Sequence, residues 1–146
     1  MSYRIPVVKV QLVRERTLHT EVLQIRCAKD AADLLQAYLE GVDREHGVVL
    51  ILDTKHKVRG IQTVSIGSLD ASILHPREIL KVAILGNASG IILGHNHPSG
   101  DPEPSPEDEI ISQRLAKACQ LMGIDFLDHL ILGDGGFVSL KERGLF

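Results

Sequence analysis

Tryptophan is absent from this chain of 146 residues, and aromatic residues make up only 3% of it. Any core must therefore rest on Leu, Ile, Val and Ala. Cysteine is scarce as well. Cys27 and Cys119 lie far apart and form no Cys-x-x-Cys pattern, which excludes a disulfide framework and a four-thiolate zinc site. Two buried thiols in a reducing, cytoplasmic setting are the ordinary expectation. No apolar run approaches the roughly eighteen residues of a membrane span, and no secretory pattern opens the chain, so no membrane partner is expected. An excess of positive charge is missing too: 16 Lys and Arg face 19 Asp and Glu, for a net charge of −3. That balance gives no electrostatic case for DNA, although clustering in space can still gather a basic face. Gly133-Asp134-Gly135-Gly136 lacks the spacing of a phosphate or dinucleotide loop. What is present is ordinary for a globular protein, with 44% hydrophobic and 24% charged residues. The length suits one domain able to bury a real core.

Along the chain, Arg4 to Val13 reads as a β-branched strand, with His19 to Ile25 returning as a second short one. The cations Arg4, Lys9, Arg14 and Arg16 fall in or beside this leader. They suit a solvated edge strand better than an anion-binding patch. Lys29 to Val42 has helical spacing in Ala31, Leu34, Leu35, Tyr38 and Leu39, with Asp30 placed to cap it. Val48 to Asp53 is apolar without alternation and reads as a strand buried on both faces. A polar turn leads to a returning strand over Val58 to Ile66, and 67–74 is a connection. A second helix starts at His75-Pro76 and ends at Gly86-Asn87, and Ser89 to Gly94 is a short strand. A third helix is expected from Pro106 to Met122, then strands over Phe126 to Leu132 and Phe137 to Leu140. Strands and helices mingle without a clean alternation, so the fold class is α+β or mixed α/β.

One stretch concentrates chemistry. His95 and His97 are two apart, so on a strand they point to the same side. Two imidazoles so placed suit one zinc ion at about 2.0–2.1 Å each. Ser105-Pro106-Glu107-Asp108 reads as N-cap to N3 of the third helix, close to a capping box. Capping alone would explain Ser105 and Asp108, at about 1 kcal/mol, but it leaves the histidine pair unexplained. His95, His97 and Asp108 are therefore the candidate metal ligands, with water as the fourth. A hydrolase built on such a site needs a carboxylate near that water. Glu45, at the mouth of the most buried strand, is the candidate, set against its ordinary alternative as a solvated residue beside Arg44. Glu107 is a weaker competitor. His129 could back the metal ligands from behind, but reads better as a core histidine bonded to its neighbour Asp128, and His19, His46, His56 and His75 read as structural or exposed.

The spacing His95, His97, Ser105, Asp108 resembles the JAMM motif of the JAB/MPN metalloprotease fold. The string from His95 to Pro102, with the later Leu127 to Asp134, looks like its RadC-like branch. The resemblance covers roughly Ala28 to the C-terminus. It implies a single JAB/MPN domain over 1–146, with a strand leader over 1–27 and a core over 28–146. Its sheet would be central and mostly antiparallel, flanked by about three helices. It also implies one zinc on His95, His97 and Asp108, with Glu45 as general acid/base and Ser105 as a hydroxyl that steadies an oxyanion. The activity implied is zinc-dependent hydrolysis of peptide or isopeptide bonds in a peptide or protein substrate. Two alternatives belong to other classes: a DNA-associated RadC protein or nuclease, and a non-catalytic interaction module.

Overall fold

The computed structural model describes residues 1–67 and 74–146. Eight elements follow one another: α1 (Ala28–Tyr38), β1 (His46–Leu52), β2 (Val58–Ile66), α2 (Pro76–Leu85), β3 (Gly90–Asn96), α3 (Pro106–Met122), β4 (Asp125–Gly133) and β5 (Gly136–Ser139). The strands form one sheet in the order β2-β1-β3-β4-β5. Every pairing is antiparallel except β3 with β4, where α3 provides the crossover a parallel pair requires.

Strand alternation divides the core into two layers. Val48, Leu50, Leu52, Ile92, Leu130 and Leu132 turn to one face and pack with Leu34 and Leu35 of α1. Val49, Ile51, Ile91 and Leu93 turn to the other and meet Ile79 and Val82 of α2 and Ile111, Leu115 and Cys119 of α3. This is why β1 is continuously apolar: both of its faces are covered, as the sequence predicts. Gly94 belongs to the α1 face, where a Cβ would stand 2.5 Å from Cδ1 of the buried Leu35. Its lack of a side chain lets α1 sit directly behind the strand that carries His95.

The helix starts follow local chemistry. The His75 side chain accepts from the Arg77 N–H ahead of Pro76 at the first position of α2. Gly123, at φ 71°, ends α3 in the left-handed conformation. Two departures concern the first forty residues. α1 closes at Leu39 rather than Val42, and Asp30 lies in its first turn, accepting from the Arg26 N–H at 2.9 Å.

The leader is the larger correction. Arg4 to Val13 forms no ladder and is exposed throughout, and the return expected over His19 to Ile25 is reduced to one bridge, Gln24 to Lys57. Branched side chains favour strands only where a pairing and a packing surface exist. Here only residues at the end of the leader find them: Leu18 and Val22 rest against the α1 layer, and the Leu23 carbonyl accepts from the Val58 N–H at 2.8 Å. Of the connection expected over 67–74, residues 68–73 lie outside the described residues. Among the described residues, no helix is long and apolar enough to cross a membrane.

Candidate metal centre

β3 runs on through Asn96, two residues past the Gly94 end expected from sequence. That extension keeps the alternation, so His95 falls on the α3 face with Leu93 while Asn96 points to the other side. His95 is fully buried. The chain beyond it is held to β4 by the His97 N–H donating to the Leu132 carbonyl at 2.8 Å.

From the facing side comes the start of α3. Ser105 is the N-cap, accepting from the Asp108 N–H at 3.2 Å, and Asp108 Oδ2 accepts from the Ser105 N–H at 2.8 Å. The capping box is complete, and it fixes the rotamer of Asp108. Oδ1 of Asp108 then lies 3.3 Å from Nε2 of His95, and Oδ2 lies 3.3 Å from Nε2 of His97. The two Nε2 atoms are 3.0 Å apart. Ligand atoms of all three residues lie within 4.8 Å of one another.

The donor set fits a divalent cation. Nδ1 of His97 lies 2.9 Å from the Asp101 carbonyl, which can only accept, so Nδ1 carries the proton and a neutral His97 presents a lone pair at Nε2. That lone pair, the nearby His95 nitrogen and a carboxylate face one another among largely buried side chains. Two imidazoles and a carboxylate are ligands that zinc accepts, and they leave a tetrahedral position open. Without a metal the site competes for protons instead. The bond to Asp108 holds the His97 imidazole above its ordinary value, against the lowering effect of burial, with the Asp101 carbonyl and the charges of Asp108 and Glu45 adding to it. Burial alone would raise Asp108, but the His95 and His97 imidazoles packed against it hold its carboxyl well below the usual carboxylate range.

Glu45 lies half-buried immediately before β1, and its charge is felt at His97. Its backbone is bracketed. Oδ1 of Asn96 accepts from the His46 N–H at 2.8 Å, Nδ2 of Asn96 donates to the Arg44 carbonyl at 3.0 Å, and the Glu45 carbonyl accepts from the Gly67 N–H at 2.9 Å. The residue between the two histidines thus clamps the segment that carries Glu45. Gly47 pairs with His95 across β1 and β3, and a Cβ there would stand 2.5 Å from Ser65 Oγ. Ser105 is half-buried, and its cap bond uses an oxygen lone pair, leaving the hydroxyl hydrogen for a donor role. Glu107 is exposed on the first turn of α3.

Two groups lie behind the centre: Ser112, which sequence reasoning missed, and His129, for which a place behind the ligands was the lesser of two readings. His129 is not a histidine whose ring pairs with Asp128. Neighbours on a strand face opposite ways, and Asp128 is engaged with the His129 N–H, Ser139 Oγ and the Lys141 N–H. The His129 ring is fully buried against His95 and Ser112. Burial and the neighbouring imidazole of His95 push it well below the ordinary histidine value. Two signals could have found these residues. Alternation puts His129 on the face of Ile131, and Ser112 is one turn from Asp108.

Comparison with known proteins gives a family match over most of the chain. The family model described as the RadC-like JAB domain matches residues 25–145. A UPF0758 protein of Desulforamulus reducens is 51% identical over 121 residues, 83% of this chain and 53% of the relative. The UPF0758 protein of Shouchella clausii is 47% identical over 139 residues, 94% of this chain and 60% of the relative. That of Moorella thermoacetica is 52% identical over 121 residues, 83% and 53% respectively. The chain spans about half the length of the curated relatives it matches.

Proposed function

The chain belongs to the RadC-like JAB domain family, and on that premise we propose that it is a zinc-dependent hydrolase of peptide or isopeptide bonds. The observation that carries this reading is the convergence of the His95, His97 and Asp108 donor atoms within 4.8 Å, with a glutamate close enough for its charge to act on His97. His95, His97 and Asp108 would hold the ion. When bound, zinc supplies a Lewis acid for the scissile carbonyl and lowers the pKa of a bound water to about 7.

The chain's own residues do the rest. Glu45 accepts the proton of the attacking water and returns it to the leaving nitrogen. Ser105, fixed as the N-cap, donates its hydroxyl hydrogen to the oxygen that gathers negative charge. Asn96 keeps Glu45 in register by holding the residues on either side of it. Of the two thiols expected to be buried, Cys119 is and Cys27 is exposed, and both are free, which suits a reducing, cytoplasmic setting.

Zinc titration joined to cleavage assays on a panel of peptide and isopeptide substrates tests this reading. One zinc per chain is expected, with cleavage that stops on chelation and returns with zinc. Stoichiometric zinc without cleavage anywhere on the panel would overturn it. DNA association is the second reading, favoured by the exposed cations Arg4, Lys9, Arg14 and Arg16 of the leader. It requires salt-dependent binding to duplex or single strands, and no binding at about 50 mM salt ends it.

The acid–base behaviour of the site gives a signed prediction. A raised His97 pKa stabilises the metal-free fold at low pH, fully below the unfolded value of about 6.5, and that contribution is lost as pH rises through the folded value. Zinc takes the place of that proton, so its affinity should climb about tenfold per pH unit up to the folded value. Thermal unfolding with and without zinc should therefore show a gap that widens as pH rises from about 6.5 towards the folded value.

A further inference from the structure

A line of hydrogen bonds runs from the back of one proposed ligand to the main chain of another. His95 Nδ1 lies 2.8 Å from His129 Nε2, His129 Nδ1 lies 2.5 Å from Ser112 Oγ, and Ser112 Oγ donates to the Asp108 carbonyl at 2.9 Å. All three side chains are fully buried. The fold assembles the line from three elements. Parallel pairing sets β4 beside β3 with Leu93 opposite His129, and Ser112 stands one turn beyond Asp108 on α3.

Its direction follows from the far end. A carbonyl oxygen only accepts, so the single hydroxyl proton of Ser112 goes to Asp108. The Ser112 oxygen must then accept from His129, which places the His129 proton on Nδ1. A neutral imidazole carries one N–H, so His129 Nε2 is bare and accepts from Nδ1 of His95. That leaves His95 with its lone pair on Nε2, the atom facing His97 and Asp108. Run backwards, with Ser112 donating to His129, the line would put a proton on His95 Nε2 and remove the donor.

We propose that His129 and Ser112 are positioning residues that fix the tautomer of His95 and so make its Nε2 a metal donor. The proposal rests on the reading of His95 as a zinc ligand. A ligating imidazole is usually backed by a carboxylate, a carbonyl or water. Here the backing group is a second, neutral imidazole, and its polarity is taken from a helix carbonyl.

Nitrogen-15 NMR of the metal-free wild-type protein reads the tautomer directly, and His95 is expected as the Nδ1–H form. Zinc affinity, measured by chelator competition, is compared across wild type, His129→Leu, His129→Gln and Ser112→Ala, with circular dichroism melting to confirm that each folds. His129→Leu should weaken zinc by about 10–100-fold, and Ser112→Ala should weaken it less. His129→Gln carries an acceptor oxygen and a donor nitrogen in the order the line needs, and should recover most of the loss. Finding His95 as the Nε2–H form in the wild type would overturn the proposal, whichever variants fold. So would zinc binding by His129→Leu at wild-type strength, or equal loss in His129→Leu and His129→Gln. A wild type that shows the Nδ1–H form yet binds no zinc would count against the zinc reading and for the tautomer line.

Discussion

Replacing Glu45 by glutamine is expected to leave one zinc per chain and to cut turnover by about 10²–10⁴-fold, the range that a positioned general base contributes. The substitution keeps the shape of the side chain and removes its ability to take a proton. The main-chain clamp is untouched, because Asn96 bonds to Arg44 and His46 and not to the Glu45 side chain. Zinc content measured by mass spectrometry, together with initial rates on one substrate from the panel, separates loss of chemistry from loss of metal. Cleavage surviving at more than about a tenth of the wild-type rate would remove Glu45 as the base. The variant also carries a smaller signature at His97. Glu45 helps to raise that imidazole, so its protonation should shift downward in the metal-free variant.

Asp108→Asn is expected to lose zinc affinity by a hundredfold or more, about 3–5 kcal/mol, because it removes one partner of a buried charged set. Its helix start should survive, since an amide oxygen can still accept from the Ser105 N–H. Ser105→Ala should do the reverse. It removes the acceptor for the Asp108 N–H, costs about 1 kcal/mol of fold stability, and leaves the ligands in place. Measuring both variants by thermal unfolding and by zinc competition separates the two roles that one capping box combines. Asparagine binding zinc like the wild type would show that the carboxylate serves the helix alone. Asp108 also adds to the stability of the metal-free fold. Its depressed folded pKa makes that contribution complete above the unfolded value of about 3.9 and lost only as pH falls towards the folded one.

Much of this arrangement was legible in the residues. Pro106 to Met122 and Val58 to Ile66 have the bounds expected, because a cap, a proline and a glycine mark the helix, and polar turns mark the strand. The mixed class was legible from strands and helices that mingle without a clean alternation, whereas the mostly antiparallel sheet was implied by the family resemblance. The convergence of His95, His97 and Asp108 follows from local rules: alternation along a strand, and the aim of a side chain in the first turn of a helix. The backing of His95 was not legible in this way. It depends on β4 lying parallel to β3, a neighbour relation that no pattern within Asp125–Gly133 carries. The leader misled for the opposite reason. Its branched residues promise a strand, but pairing depends on an available edge, and Arg4 to Val13 has none among the described residues.

Ser105 and Asp108 hold each other whether or not a metal is near, and β3 already carries both histidines, so the donor atoms are gathered when the chain folds. Taking up zinc then reorders little chain and hides little apolar surface. Calorimetry should record a heat-capacity change near zero, in contrast to the large negative value of a site that folds around its ion. The rate of capture would be governed by how quickly the ion sheds its own water.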